Sequence, residues 1–214
     1  MPAAPRRRLG TAERYRQILD GAIQFFSVHG FDGQLRDLAH SIGVTHALLY
    51  HYFPTKQALI DSVYREVFEG RWNPSWEALL DDRDLAVGDK FITFYEDYSR
   101  TVLTPEFVRI LVYSGLGDRT ITDRFFALLG DRLFPKLIRE TRRFRGSRSR
   151  RPTTAREHEL LMGLHGGIFY NGLRRFVYGQ AMHPAGPPVD DAQTIRDRVQ
   201  AYLQASLQLD PRPQ

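Results

Sequence analysis

There is no cysteine in the 214 residues, so neither a disulfide framework nor a thiolate metal site can be built. That absence fits a cytoplasmic chain. Long apolar runs are also missing, and none approaches the ~18 residues that would suggest a membrane span. The opening MPAAPRRRLG carries arginines but no apolar segment behind them, so it lacks the plan of a secretory signal. Lysine is scarce: Lys56, Lys90 and Lys136 are three among thirty basic residues, which reads as GC-rich coding rather than chemistry. No stretch alternates apolar and polar residues between turn signals, as a half-buried strand would. A G-x-S-x-G elbow and an HExxH pair are absent too, which leaves no nucleophile or zinc motif.

Hydrophobic residues make up 42% and charged residues 26%, enough for a real core and too apolar for wholesale disorder. The net charge of +5 is unevenly spread. It is +3 over residues 1–60, −4 over 61–140 and +6 over 141–214. A basic head ahead of an acidic middle suits a polyanion-binding head on a body that is not itself a polyanion binder.

Helical periodicity runs almost throughout. Ile18, Leu19, Ala22, Phe25 and Phe26 share one face of a first helix over 11–29, with Thr11 as its cap and Gly30 as its stop. Further helices are expected over 34–41, 45–52, 56–71, 85–103, 105–116, 121–144, 157–180 and 190–209, with breaks at Pro74, Pro105, Pro135 and the 183–188 segment HPAGPP. The expectation is an all-α chain of about nine helices. It divides into a basic tail over 1–10, a small helical head over 11–55 and a body over 56–214, with 56–71 as a connecting helix. The tail, with Arg6, Arg7 and Arg8, and the arginine-rich stretch 141–157 read as solvated segments.

The informative stretch is QLRDLAHSIGVTHALLYHYFPTK, residues 34–56. Two short helices meet at Ile42-Gly43-Val44, which is the plan of a helix-turn-helix whose second helix enters the DNA major groove. Leu48 or Leu49 must face the first helix. Thr45, His46 and Ala47 form the entry end, and Tyr50 and His51 offer polar tips farther along. Tyr50 and Tyr52 cannot share a face, so one reads DNA and the other packs. Lys56 is placed to meet the phosphate backbone.

At these residues the chain resembles the TetR/AcrR regulators. The likeness covers 16–71 and is densest in G-V-T-x-x-x-L-Y-H-Y-F-P-T-K-x-A-L from Gly43 to Leu59. The resemblance implies that Gly43 makes the turn and that Thr45, His46, Ala47, Tyr50, His51 and Lys56 occupy DNA-contacting positions. Two departures stand out. The segment before the second helix, Gly33-Gln34-Leu35, is one residue short of the usual threonine pair, which leaves Gln34 and Arg36 as candidates for the adjacent phosphate. Position 46 is histidine where relatives often carry lysine or arginine, so its attraction for phosphate would depend on pH.

The same resemblance implies a homodimer on a palindromic operator and a small-molecule effector held in the body, with no cofactor and no metal. Leu160, Gly163, Leu164, Gly167, Ile168, Ile195, Val199 and Leu203 form the candidate interface, two helices per chain making a four-helix bundle. Aromatic residues crowd the middle helices, and Tyr95, Tyr98, Tyr113, His165 and Tyr170 are the candidate polar groups of an apolar effector cavity. One rival stays open, a ligand-free regulator that is governed by a protein partner or constitutive. An esterase-like enzyme built on His165-Gly166-Gly167 is not expected, because the serine elbow it would need is absent and close helix packing explains the glycines.

Overall fold

A computed structural model of the chain describes residues 10–180 and 190–209. The tail arginines Arg6, Arg7 and Arg8 and the 183–188 break lie outside the described residues. Every regular element among those described is helical: α1 (Thr11–His29), α2 (Leu35–Ser41), α3 (His46–Tyr52), α4 (Lys56–Tyr64), α5 (Ser75–Asp81), α6 (Val87–Thr101), α7 (Pro105–Leu116), α8 (Thr120–Leu128), α9 (Phe134–Phe144), α10 (Ala155–Phe176) and α11 (Asp191–Ser206). A π turn, Arg65–Glu69, prolongs α4, and a second, Leu129–Leu133, fuses α8 and α9 into one rod. The rods then number one more than the nine expected. The extra one is α5, whose seven residues bury only Trp76 and Leu80, too few to register as a helical period.

Contacts divide the chain into two compact units, Met1–Gly70 and Arg71–Gln214. In the first, Ile18, Leu19, Ala22 and Phe26 of α1 are buried along with Leu59 and Val63 of α4 and Val67 of the π turn. The α1 and α4 helices pack together, and an Arg16–Glu66 pair at 2.7 Å closes their exposed edge. The division falls beyond residue 55 because the apolar stripe of α4 is spent on α1.

In the second unit α6 is central, packed against α5, α9, α10 and α11, while α7 meets α8 and α10. Phe91, Phe94, Tyr95 and Tyr98 bring four rings from α6 into the core. Trp76 of α5 stands edge-on to Phe94 at 5.4 Å and to Trp72 at 5.5 Å, and its indole N–H donates to Asp97 at 2.7 Å. A charge is buried among them. Lys90 is 0% exposed, with Nζ donating to Glu140 Oε2 at 2.7 Å and to the Leu80 carbonyl at 3.1 Å.

The stretch 141–157, expected to be a solvated loop, is organised instead. The α9 helix runs to Phe144, and Arg142 and Arg145 are buried against Glu157, at 2.6 Å and 2.8 Å. Glu157 is held well below the usual carboxylate range by these guanidinium groups, Arg142 first, against the opposing cost of burial. It also completes a capping box with Thr154 at the start of α10. What looks in sequence like a run of repelling charge is in part a paired, buried network.

Candidate nucleic-acid interface and body site

The turn between α2 and α3 is set by hydrogen bonds that need glycine. Gly43 N–H donates to the His40 carbonyl at 3.1 Å and Val44 N–H to the Ala39 carbonyl at 2.9 Å, the double bond of a Schellman stop. Gly43 sits at φ +68°, the left-handed region that side chains resist. The α1 helix clamps this corner. Gln17 Nε2 donates to the Ile42 carbonyl at 3.1 Å, and a Cβ on Gly21 would lie 2.3 Å from Ile42 Cγ2. The sequence reading passed over Gly21, although a glycine inside an apolar helix, costing about 1 kcal/mol against alanine, was a usable signal of close approach.

Thr45 caps α3, its Oγ1 accepting from Leu48 N–H at 3.1 Å, and the hydroxyl proton is left to donate outward. Leu49 is 0% exposed and fixes α3 against the rest of the unit. Because Leu49 points in, Thr45, His46, Ala47, Tyr50 and His51 are exposed, and Tyr52 is half-buried. The His46 and Tyr50 rings meet edge-on at 4.8 Å, one turn apart on the same face. Thr55 caps α4, accepting from Ala58 N–H at 3.0 Å, and Lys56 follows as its first residue, half-buried. Gln34 stands exposed at the cap position of α2 with no side-chain capping bond, and Arg36 is exposed in the first turn. The eight candidate DNA residues thus carry polar or small side chains along α3 and at the starts of α2 and α4. That arrangement can meet base edges with one helix and phosphates with its neighbours.

A second constellation lies inside the body. Tyr95 and Tyr98 on α6 and His165 on α10 are buried together, with the His165 ring 5.3 Å from that of Tyr98 and 6.0 Å from that of Tyr95. Phe134 closes the group at 5.4 Å from His165. The hydroxyls of both tyrosines and Nδ1 of His165 find no hydrogen-bond partner among the described residues. A buried polar atom without a partner costs about 1–3 kcal/mol, so three in one place need a physical reason. Burial pushes the His165 imidazole down to about 4 and both tyrosine hydroxyls up from their ordinary value, so all three groups are uncharged at neutral pH. Tyr113 lies half-buried on α7. Tyr170 is 46% exposed and stands against Tyr178, so it does not belong to this group. Its helical spacing from His165 put it on a neighbouring face rather than the same one.

The neutral histidine sets a pH window. An unfolded histidine takes a proton near pH 6.5, whereas His165 in the fold resists until about pH 4. Its contribution is therefore complete above pH 6.5 and is lost as pH falls toward 4, amounting to about 3 kcal/mol at the acid end. Thermal melting of the wild type between pH 7 and about 5 should show this decline, and His165→Phe should flatten it. Equal slopes would remove His165 as its source.

Among the described residues no three His, Asp or Glu side chains stand together as metal ligands would. Nor is any helix among them long and apolar enough to cross a membrane. His165, Gly166 and Gly167 lie mid-way along α10 rather than on an exposed loop.

Residues 18–63 match the family described as bacterial regulatory proteins, tetR family. Over that segment the chain carries a TetR-family N-terminal domain. A curated relative, the HTH-type transcriptional repressor Rv1474c of Mycobacterium tuberculosis, is 41% identical over 56 residues, which is 26% of this chain and 30% of that protein. The chain therefore matches under a third of that relative's length. Solved structures extend the likeness in fold. A TetR-like transcriptional regulator from Rhodococcus sp. RHA1 matches with a TM-score of 0.66 at 17% identity, over 95% of this chain and 100% of the other. The TetR-family regulator PfmR from Thermus thermophilus gives 0.60 at 22% identity, over 87% and 97%. The fatty acid degradation regulator FadR from Bacillus halodurans gives 0.59 at 16%, over 92% and 97%. At these identities the TetR-like fold is what is shared, through the body as well as the head.

The C-terminal helix pair corrects part of the interface reading. Leu164, Ile168, Ile195, Val199 and Leu203 are each at most 4% exposed, spent on the chain's own core. The stripe that marked them as an interface is the seam between α10, α11 and α6, and a single period of 3.6 cannot tell the two apart. Gly167 also has an internal reason: a Cβ there would meet Arg198 Nη1 at 2.3 Å, where the guanidinium crosses α10 to reach Asn171. Leu160 is half-buried and Gly163 exposed. A Cβ on Gly163 or Gly166 would meet nothing within 4 Å, so neither glycine is required by packing inside the chain.

Proposed function

We propose that this chain is a homodimeric, sequence-specific DNA-binding transcription regulator, a repressor released from a palindromic operator when a small effector enters the body. The observation that carries the reading is the α3 surface. Five exposed residues from Thr45 to His51 stand over a buried Leu49, on a turn locked by Gly43 and clamped by Gly21. The repressor sense is supported by the curated relative's name. Selection of bound fragments from a DNA library at a stated salt concentration tests the reading. Recovery of a palindrome with half-sites a helical turn or more apart supports it, and recovery of no shared sequence counts against it.

The effector part rests on the three partnerless polar atoms of Tyr95, Tyr98 and His165, which favour a ligand-responsive body over a ligand-free one. Aromatic neighbours and uncharged polar groups suit an apolar or aromatic molecule with one or two hydrogen-bonding atoms. Its binding would lower operator affinity by a coupling free energy of about 1–3 kcal/mol.

Dimerisation through the outer face of α10 has its own test. Gly163→Leu adds bulk where the chain itself has room, so the monomer fold should survive while self-association falls. Sedimentation of the variant should show a folded monomer at concentrations where the wild type is a dimer. An unperturbed dimer would move the interface elsewhere.

A further inference from the structure

The body carries a cleft of about 860 Å³ between the end of α5, α9 and the segment 147–153. Arg83 stands at one edge, Arg139 and Arg143 line it from α9, and Arg148, Arg150 and Arg151 line it from the 147–153 segment. The carboxylates of the lining are Asp81 and Glu140, and both are already committed. Asp81 takes Lys136 at 2.7 Å and also binds Arg139, while Glu140 takes the buried Lys90. Among the described residues no carboxylate lies within ion-pair distance of Arg83, Arg148, Arg150 or Arg151.

These arginines are held in place. One buried guanidinium, that of Arg142, donates to the Arg151 carbonyl at 2.7 Å and the Pro152 carbonyl at 3.2 Å. It also donates to the Ser149 carbonyl at 3.4 Å and to Glu157, at 2.8 Å from Nε and 2.6 Å from Nη2. A solvated charge run needs no such tether, because its only requirement is water. Here the backbone between the exposed arginines is fastened to the core, so their positive charge is presented around a fixed concavity.

We propose that this cleft is a binding site for a small molecule bearing two or more adjacent phosphate groups. The planar guanidinium fork pairs with phosphate oxygens two at a time, and several forks around one cavity match a chain of phosphates better than a single anion. The volume falls in the range of small-molecule sites, about 300–1,000 Å³. A duplex backbone would need an extended stripe, whereas these arginines are gathered around one concavity with the 147–153 segment as a wall, which favours the small polyphosphate over nucleic acid. The site is independent of the operator reading of α3.

Calorimetry on the full chain tests it, with inorganic triphosphate, a nucleoside triphosphate and sulfate titrated separately at low salt. Triphosphate should bind once per chain and at least about tenfold more tightly than sulfate. The triple variant Arg148→Ser, Arg150→Ser, Arg151→Ser removes three exposed side chains, should melt near the wild type, and should lose at least about tenfold in triphosphate affinity. Equal binding of inorganic and nucleoside triphosphate would mean that the phosphate chain alone is recognised, and tighter nucleotide binding would add a base to the ligand class. Undiminished affinity in the variant, parity with sulfate, or no binding at all would overturn the proposal. So would displacement of triphosphate by duplex DNA in the wild type but not in the variant.

Discussion

Lys90→Met should destabilise the 71–214 unit by about 3–5 kcal/mol, a large share of what holds a domain together. The magnitude follows from what the substitution leaves behind. Glu140 would remain buried with its 2.7 Å partner gone, and the Leu80 carbonyl would lose its donor. Arg139 and Arg143 reach Glu140 only at 3.4 Å and from half-exposed positions, so they do not replace an ammonium held in the core. Urea unfolding followed by circular dichroism measures the loss. The double variant Lys90→Met, Glu140→Leu should recover most of it, because removing both charges removes the desolvation cost as well as the attraction. If the single variant melts like the wild type, the pair is not buried in solution as it is in the structure.

Tyr50→Ala should weaken operator binding by about 10- to 100-fold, the range for losing one specific base contact, while leaving helix content and self-association unchanged. The tyrosine is 40% exposed, and the buried residue of α3 is Leu49, which the substitution leaves in place. Its edge contact with His46 means that the two residues will not behave as independent contributors. Lys56→Ala should act differently. A point charge on the backbone lowers affinity for all sequences alike and reduces the salt slope by about 1. Binding isotherms at several salt concentrations separate the two patterns. Full retention of affinity by Tyr50→Ala would place the reading surface elsewhere on α3.

The head was legible because its determinants are local. Gly43, the Thr45 cap and the inward Leu49 lie within seven residues of one another, and each acts through its own backbone or its nearest turn. The body was legible only as a set of helices. Its chemistry depends on which side chain faces which across long separations, as with Arg142 and Glu157, or Lys90 and Glu140 fifty residues apart. Neither pair has a sequence signature, so the arginine run read as solvated and Lys90 drew no notice. Part of the interface stripe was misassigned for a related reason: burial against α6 and burial against a second copy leave the same periodic mark. The grouping of Tyr95, Tyr98 and His165 was suggested by aromatic density alone. That their polar atoms lack partners is visible only once every neighbour is placed.

Trp72 and Trp76 are the two tryptophans of the chain, and both sit in the second unit. Indole emission therefore arises from the second unit alone. Trp76 lies 5.9 Å from the Tyr98 ring, one neighbour away from His165. An effector that engages those groups should shift its colour or intensity without any added dye. More usefully, the same signal can be followed while operator DNA is titrated in. The proposed DNA-contacting residues carry no indole, so an optical change on adding operator DNA would be the signature expected of coupling between head and body.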